Sequence, residues 1–164
     1  LVTDGALVVA SDINEDNCRA AQKELSIKTV SNDQLLTENC DVLAPCALGG
    51  VLNEWSIPTL NTAIIAGAAN NQLLTQQDHQ RLGNLGILYC PDYLINAGGV
   101  VDVYQRRHGG TQAAIDGAIA NIAARLRSVL AEASLRGVSP VLIANERAEV
   151  LIEAAQPSPR PEAA

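Results

Sequence analysis

The 164 residues are 48% hydrophobic, enough for one well-filled core and about one domain. Acidic residues outnumber basic ones by 18 to 11 with no basic run, and aromatics make up 2% with no Phe, so neither a nucleic-acid footprint nor a platform for stacked bases is expected. No apolar stretch nears the roughly 20 residues of a membrane span, and no signal peptide is visible.

The chain does not begin with Met. Leu1-Val2-Thr3-Asp4-Gly5 reads as the last turn of a helix with its C-cap glycine, so the sequence is expected to be the later part of a longer polypeptide. Residues 6–11, ALVVAS, form an apolar run that predicts a buried strand ending at Asp12. Asn14, Glu15 and Asp16 then open a helix to about Leu25, since early acids suit a helix N-terminus. A short strand is expected over 27–30, and Asn32-Asp33 are expected to cap a brief helix through Leu36. CDVLA at 40–44 is the next strand, and its end meets the small-residue loop Pro45-Cys46-Ala47-Leu48-Gly49-Gly50.

Residues 51–60 read as irregular or a short helix, and 62–66 as a buried strand. That strand runs into Gly67-Ala68-Ala69 and the paired amides Asn70-Asn71. A polar helix is expected over 73–82 and a short strand over 87–89. Asp92 to Ile95 lead into Asn96-Ala97-Gly98-Gly99, with a helix from about Gly98 carrying Val100 and Val103. Thr111 or Gln112 opens a long helix to Arg136. Its apolar positions 115, 119, 122, 126, 129 and 133 form one stripe. Gly137 stops it, Pro140 starts a last helix to about Ala155, and the proline-rich 156–164 read as a disordered tail. Alternating strands and helices without hairpins predict an α/β fold: a Rossmann-like, mostly parallel sheet flanked by helices, followed by C-terminal helices and incomplete at the N-terminus.

The chemistry gathers at strand ends, where open α/β sheets bind ligands. Asp12 ends what would be the second strand of a dinucleotide-binding half, where a carboxylate accepts hydrogen bonds from ribose hydroxyls and repels a 2′-phosphate. A solvent-facing acid or a cap is the competing reading. The loop at Cys46-Ala47 could pass under a pyrophosphate or ribose, or be a plain proline-started turn. Cys46 has no neighbouring His or Lys in sequence to activate it as a nucleophile. Asn70, Asn71 and Asn96 follow strands and suit a nicotinamide amide, its ribose or a substrate carboxylate, although asparagine is also a turn residue. The four cysteines, Cys18, Cys40, Cys46 and Cys90, match no zinc spacing and are expected to be reduced in a cytoplasmic protein. Only Lys23 and Lys28 are lysines, both expected on the outer face. His79 is expected to be solvated, His108 to lie in a linker beside Arg106 and Arg107, and no buried acid or acid–base pair is evident. No catalytic residue and no metal site is assigned.

Three motifs carry a resemblance: CDVLAPCALGGVLN at 40–53, IPTLNTAIIAGAANNQL at 57–73 and YCPDYLINAGGVVDV at 89–103. Together, over residues 1–155, they resemble the cofactor-binding part of the glutamate/leucine/phenylalanine/valine dehydrogenase family, above all its leucine, phenylalanine and valine members. The resemblance implies reversible NAD-dependent oxidative deamination of an apolar L-amino acid to its 2-oxo acid and ammonia, a tryptophan-preferring member being a further option. It implies that Asp12 holds the adenosine ribose and that Ile13 lines the adenine site. Cys46 and Ala47 would lie under the dinucleotide, and Asn70 and Asn71 near the nicotinamide ribose and substrate. Asn96 would lie close to the nicotinamide, and Val100 and Val103, with Asn71, would line the substrate pocket. Residues 1–108 would form part of the dinucleotide-binding domain and 109–155 would return toward a substrate domain. The family's catalytic lysine and aspartate belong to that amino-terminal domain, which is absent here, as is the Gly-rich fingerprint. Asp102 stands where several relatives carry an amide and receives no role. The implied partners are the amino acid, the N-terminal domain of the same polypeptide and further copies in a homo-oligomer, with no nucleic acid or membrane. A different NAD-dependent oxidoreductase on the same sheet, or a non-catalytic dinucleotide-binding module, are the rival classes.

Overall fold

A computed structural model describes residues 1–155. The tail expected at 156–164 lies outside the described residues. The chain divides into two compact units, Leu1–Leu88 and the residues from Tyr89 onward.

In the first unit, a turn of 3₁₀-helix at Val2–Asp4 precedes β1 (Val9–Ala10), α1 (Glu15–Leu25), β2 (Lys28–Thr29) and α2 (Asn32–Leu35). There follow β3 (Asn39–Leu43), a second 3₁₀ turn at Ile57–Thr59, β4 (Asn61–Ile65) and α3 (Asp78–Asn84). The unit ends within β5 (Leu88–Tyr89). β1 and β2 pair in parallel as a separate two-stranded sheet, and the second sheet has the order β3-β4-β5. β3 and β4 are parallel, with Asn39 opposite Asn61 and Leu43 opposite Ile65. The predicted α/β fold with parallel strands is therefore present.

Several boundaries differ for local reasons. β1 covers Val9–Ala10 rather than 6–11, because β2 presents only Lys28 and Thr29 to pair with. α2 is capped by Ser31, not Asn32: the Ser31 hydroxyl accepts from the Gln34 amide while the Gln34 side chain accepts from Ser31, a reciprocal box. α3 starts at Asp78, five residues later than expected. The Asp78 carboxylate accepts from the Thr75 amide at 2.7 Å and its hydroxyl at 2.8 Å, which fixes 75–78 as a turn before the helix can begin. Leu43, Leu52, Ile57, Ile65 and Leu82 fill the core of this unit. Burying each of these side chains stabilises by about 2 kcal/mol.

The second unit is helical: α4 (Asp92–Ile95), α5 (Gly98–Arg107), α6 (Gln112–Arg136) and α7 (Pro140–Ala155). Thr111 caps α6 through its side chain, and Gly137 ends it in the left-handed conformation. The α6 stripe is buried at Ile115, Val129 and Ala133 but not at Ile119, which is 41% exposed; Val129 and Ala133 pack with Ile143 and Ala144 of α7, flanked by Leu94 and Val138. Polar staples join the same helices. Arg136 takes Glu146 in a two-pronged pair at 2.6 and 3.0 Å, and Arg147 reaches Glu132 at 2.6 Å. Tyr93 of α4 donates to Asn145 Oδ1 at 2.7 Å.

Three expectations about titratable groups are corrected. His79 is buried, 6% exposed, rather than solvated, because α3 turns that side inward with Leu82. Asp78 and Asp92 are buried acids. Arg106 and Arg107 form the last turn of α5, which His108 caps, rather than a linker.

Candidate functional site

Parallel β3 and β4 deliver their carboxyl ends to one edge of the sheet, and the two loops that leave there are tied together by backbone. The Ala66 amide donates to Leu43 O at 3.0 Å, and the Ala69 amide to Pro45 O at 3.0 Å. Between them Gly67 lies so close to the other loop that a Cβ would sit 2.1 Å from Pro45 O, a clash with backbone that cannot step aside. Farther along, a Cβ on Gly49 would stand 2.7 Å from the carbonyl oxygens of both Asn70 and Asn71, and the Gly50 amide donates to Asn71 O at 2.8 Å. Leu52 and Leu73 then form an isolated parallel bridge. The small residues of both loops thus serve first to let two backbones meet.

On this pinned backbone Cys46, Ala47, Asn70 and Asn71 are exposed. The structure brings these four sequence-predicted residues onto adjoining loops at one sheet edge. Asn71 has a φ of 53°, so part of its identity answers to the turn itself. Beneath the loop lies Gln72, which sequence reading passed over. It is 0% exposed, and its Nε2 donates to Gly67 O at 2.8 Å and Ala69 O at 3.0 Å. A polar residue at a position flanked by Leu73 was the only signal available for it.

Asp12 and Ile13 follow β1, in the other sheet, and both are exposed. Asp12 Oδ1 accepts from the Asn14 amide at 2.7 Å and Oδ2 from the Asn17 side chain at 3.1 Å. The Asn14 amide first, then the Asn17 amide, hold the Asp12 carboxyl below its usual range. It is an ionised, exposed acceptor with lone pairs to spare and no donor of its own.

In the second unit Asn96 is half-buried at the end of α4, its amide donating to Asp92 O at 2.9 Å. Val100 and Val103, three apart on α5, are 75% and 64% exposed. With Gly99, Tyr104, Arg107 and His108 they line an open concavity of about 560 Å³. Val100 and Val103 give this lining its apolar part, and Arg107 is its cation. Tyr104 and His108 stack at 4.3 Å, and His108 Nδ1 lies 2.8 Å from Tyr104 O. Asp102, on the same helix, pairs with Arg106 at 2.9 Å. The buried Tyr89 hydroxyl donates to Asp92 at 3.0 Å; burial, then the Asp92 carboxyl, pushes this phenol up, so it stays a donor. Neither sequence spacing nor composition pointed to that pair.

The sequence model described as Glutamate/Leucine/Phenylalanine/Valine dehydrogenase matches residues 6–145. Leucine dehydrogenase of Bacillus subtilis (strain 168) is 35% identical over 150 residues, covering 92% of this chain and 41% of that protein. Valine dehydrogenase of Streptomyces coelicolor is 36% identical over 162 residues, covering 97% of this chain and 44% of that one. The crystal structure of L-tryptophan dehydrogenase from Nostoc punctiforme superposes with a TM-score of 0.90 at 35% identity, over 94% of this chain and 47% of that chain. Fold and likeness together define an oxidoreductase class, the amino-acid dehydrogenases. This chain belongs to the glutamate/leucine/phenylalanine/valine dehydrogenase family. It spans less than half the length of each of these relatives.

Proposed function

We propose that the chain is the cofactor-binding part of an NAD-dependent dehydrogenase that deaminates an apolar L-amino acid to its 2-oxo acid and ammonia. The observation that carries this reading is the pair of loops at the carboxyl edge of β3 and β4: backbones tied to each other, with Asn70 and Asn71 exposed upon them. Side chains on a fixed backbone meet a ligand without paying much ordering entropy on binding.

NAD, when bound, supplies the hydride acceptor. Asp12 fits it as an acceptor: an ionised, acceptor-only group takes the ribose hydroxyls and rejects a 2′-phosphate. Ile13 offers apolar surface to the adenine. Cys46 and Ala47 leave space for a flat group to cross. Asn70, Asn71 and Asn96 offer amides to the nicotinamide end and to substrate, while Val100 and Val103 give the substrate side chain an apolar wall. The names of the relatives, leucine, valine and L-tryptophan dehydrogenase, support an apolar substrate. The general base and the group that activates water would come from a substrate domain of the same polypeptide, in a cytoplasmic homo-oligomer.

The test is kcat/KM of the full-length protein for leucine, valine, phenylalanine and tryptophan, each with NAD and NADP. NAD is expected to win by at least about tenfold, equivalent to one charged hydrogen bond, and Asp12→Asn to shrink the margin. A preference for NADP, or no turnover of any of the four, overturns the reading.

A further inference from the structure

The Gln72 amide is oriented by its donors, at the expense of its acceptor. Both of its N–H groups are used, on Gly67 O and Ala69 O, while its own Oε1 is buried with no partner among the described residues. The flipped amide would set Oε1 against two carbonyl oxygens and strand both donors. A buried unmet acceptor costs free energy that Leu or Met in the same space would not incur. What the amide gives in return is shape: it spans two carbonyls two residues apart and closes residues 67–69 into a fixed curve. The backbone ties of Ala69 to Pro45, Gly50 to Asn71 and Leu52 to Gln72 run toward the other loop. Gln72 holds the curve from the interior, next in sequence to Asn70 and Asn71.

We propose that Gln72 is a positioning residue: its buried amide, bridging Gly67 O and Ala69 O, sets the loop that presents Asn70 and Asn71 to the bound cofactor and substrate. The proposal rests on the reading of those asparagines as ligand-facing. Gln72 touches neither ligand and acts through the backbone.

The experiment uses the full-length protein with Gln72→Met and Gln72→Glu. Met fills the space and donates nothing. Glu, ionised, donates nothing either, and burial raises its pKa; protonated, it regains one O–H donor. Three quantities are read: melting temperature, amide hydrogen exchange over residues 66–72, and kcat and KM for NAD and amino acid from pH 9 to pH 6. Gln72→Met is expected to fold, to exchange about tenfold faster over that stretch, and to lose about 10- to 100-fold in kcat/KM, the range of one or two buried hydrogen bonds. The activity of Gln72→Glu relative to wild type at the same pH is expected to climb several-fold as pH falls, while that of Gln72→Met stays flat. Wild-type kcat/KM in Gln72→Met, or a flat ratio for Gln72→Glu, overturns the proposal. If Gln72→Met does not fold, the Gln72→Glu ratio decides. If neither folds, Gln72 is a folding residue and the proposal is overturned. If wild type itself turns over no amino acid, the dehydrogenase reading has failed, and the exchange measurement alone judges Gln72: unchanged protection overturns it, lost protection supports it.

Discussion

Asn70 and Asn71 stand side by side and answer to different constraints. Asn71 is left-handed at φ 53°, so Asn71→Ala is expected to lose about 1 kcal/mol of stability through backbone strain alone. Asn71→Gly removes the amide without that strain. Asn70→Ala has no such penalty and should melt within a few degrees of wild type. All three are expected to lose about 10- to 100-fold in kcat/KM per folded molecule if the amides meet a ligand. Activity that follows only the melting temperature would make both plain turn residues. At this scale the sequence exposed some residues and hid others. Small residues and paired amides after an apolar run are visible in a string. Gln72, Asp78 and His79 are not, because burial of a polar side chain depends on which carbonyl or hydroxyl the fold sets beside it.

The helices divide along the same line. Sustained periodicity and strong stop signals made α6 and α7 readable to the residue at Gly137 and Pro140, whereas two-residue strands such as β1 and β2 owe their length to a partner and not to their own apolar run. The start of α3 was hidden because the Thr75–Asp78 turn uses side chains that composition alone assigns to a helix. On α5, Val100 and Val103 share one exposed face. Val→Phe at either position is expected to cut kcat/KM for leucine and tryptophan by about tenfold or more relative to alanine, and Val→Ala to raise the larger substrates, since a methylene in an apolar pocket is worth about 1–3 kcal/mol. An unchanged substrate profile across the four variants would place the pocket elsewhere. On α3, burial lowers the pKa of His79 below its ordinary 6.5. The fold therefore favours neutral imidazole, and the unfolded chain binds the extra proton. Stability from this group is complete above about pH 6.5 and is lost as pH falls below it toward the folded value. Denaturant midpoints at pH 7.5 and 5.5 should diverge more for wild type than for His79→Gln; equal shifts would show that His79 is not the group responsible.

For the chain as a whole, the expectation is that Leu1–Ala164 expressed alone does not reduce NAD with leucine, valine, phenylalanine or tryptophan. Lys28 pairs with Glu38 at 2.7 Å and Lys23 is exposed in the last turn of α1. The buried acids are engaged, Asp78 by Thr75 and Arg81, Asp92 by Tyr89. Both buried acids are thus held in hydrogen bonds within their own unit. Turnover comparable to the full-length enzyme would show that a catalytic group in this chain has been overlooked. The α6–α7 staple also has a consequence in time. Arg136 finds Glu146, and Arg147 finds Glu132 and Ser128, across a short reversal at residues 137–139. Contacts so near in sequence form on the microsecond scale. β3 and β4, by contrast, must bring Asn39 to Asn61 around an irregular connection before either gains a hydrogen bond. Sequence separation alone therefore favours the Arg136–Glu146 end of the helical hairpin over the β3–β4 ladder in order of formation. The β3–β4 ladder, which carries the loops of the candidate site, is then the part whose pairing costs the longer loop closure.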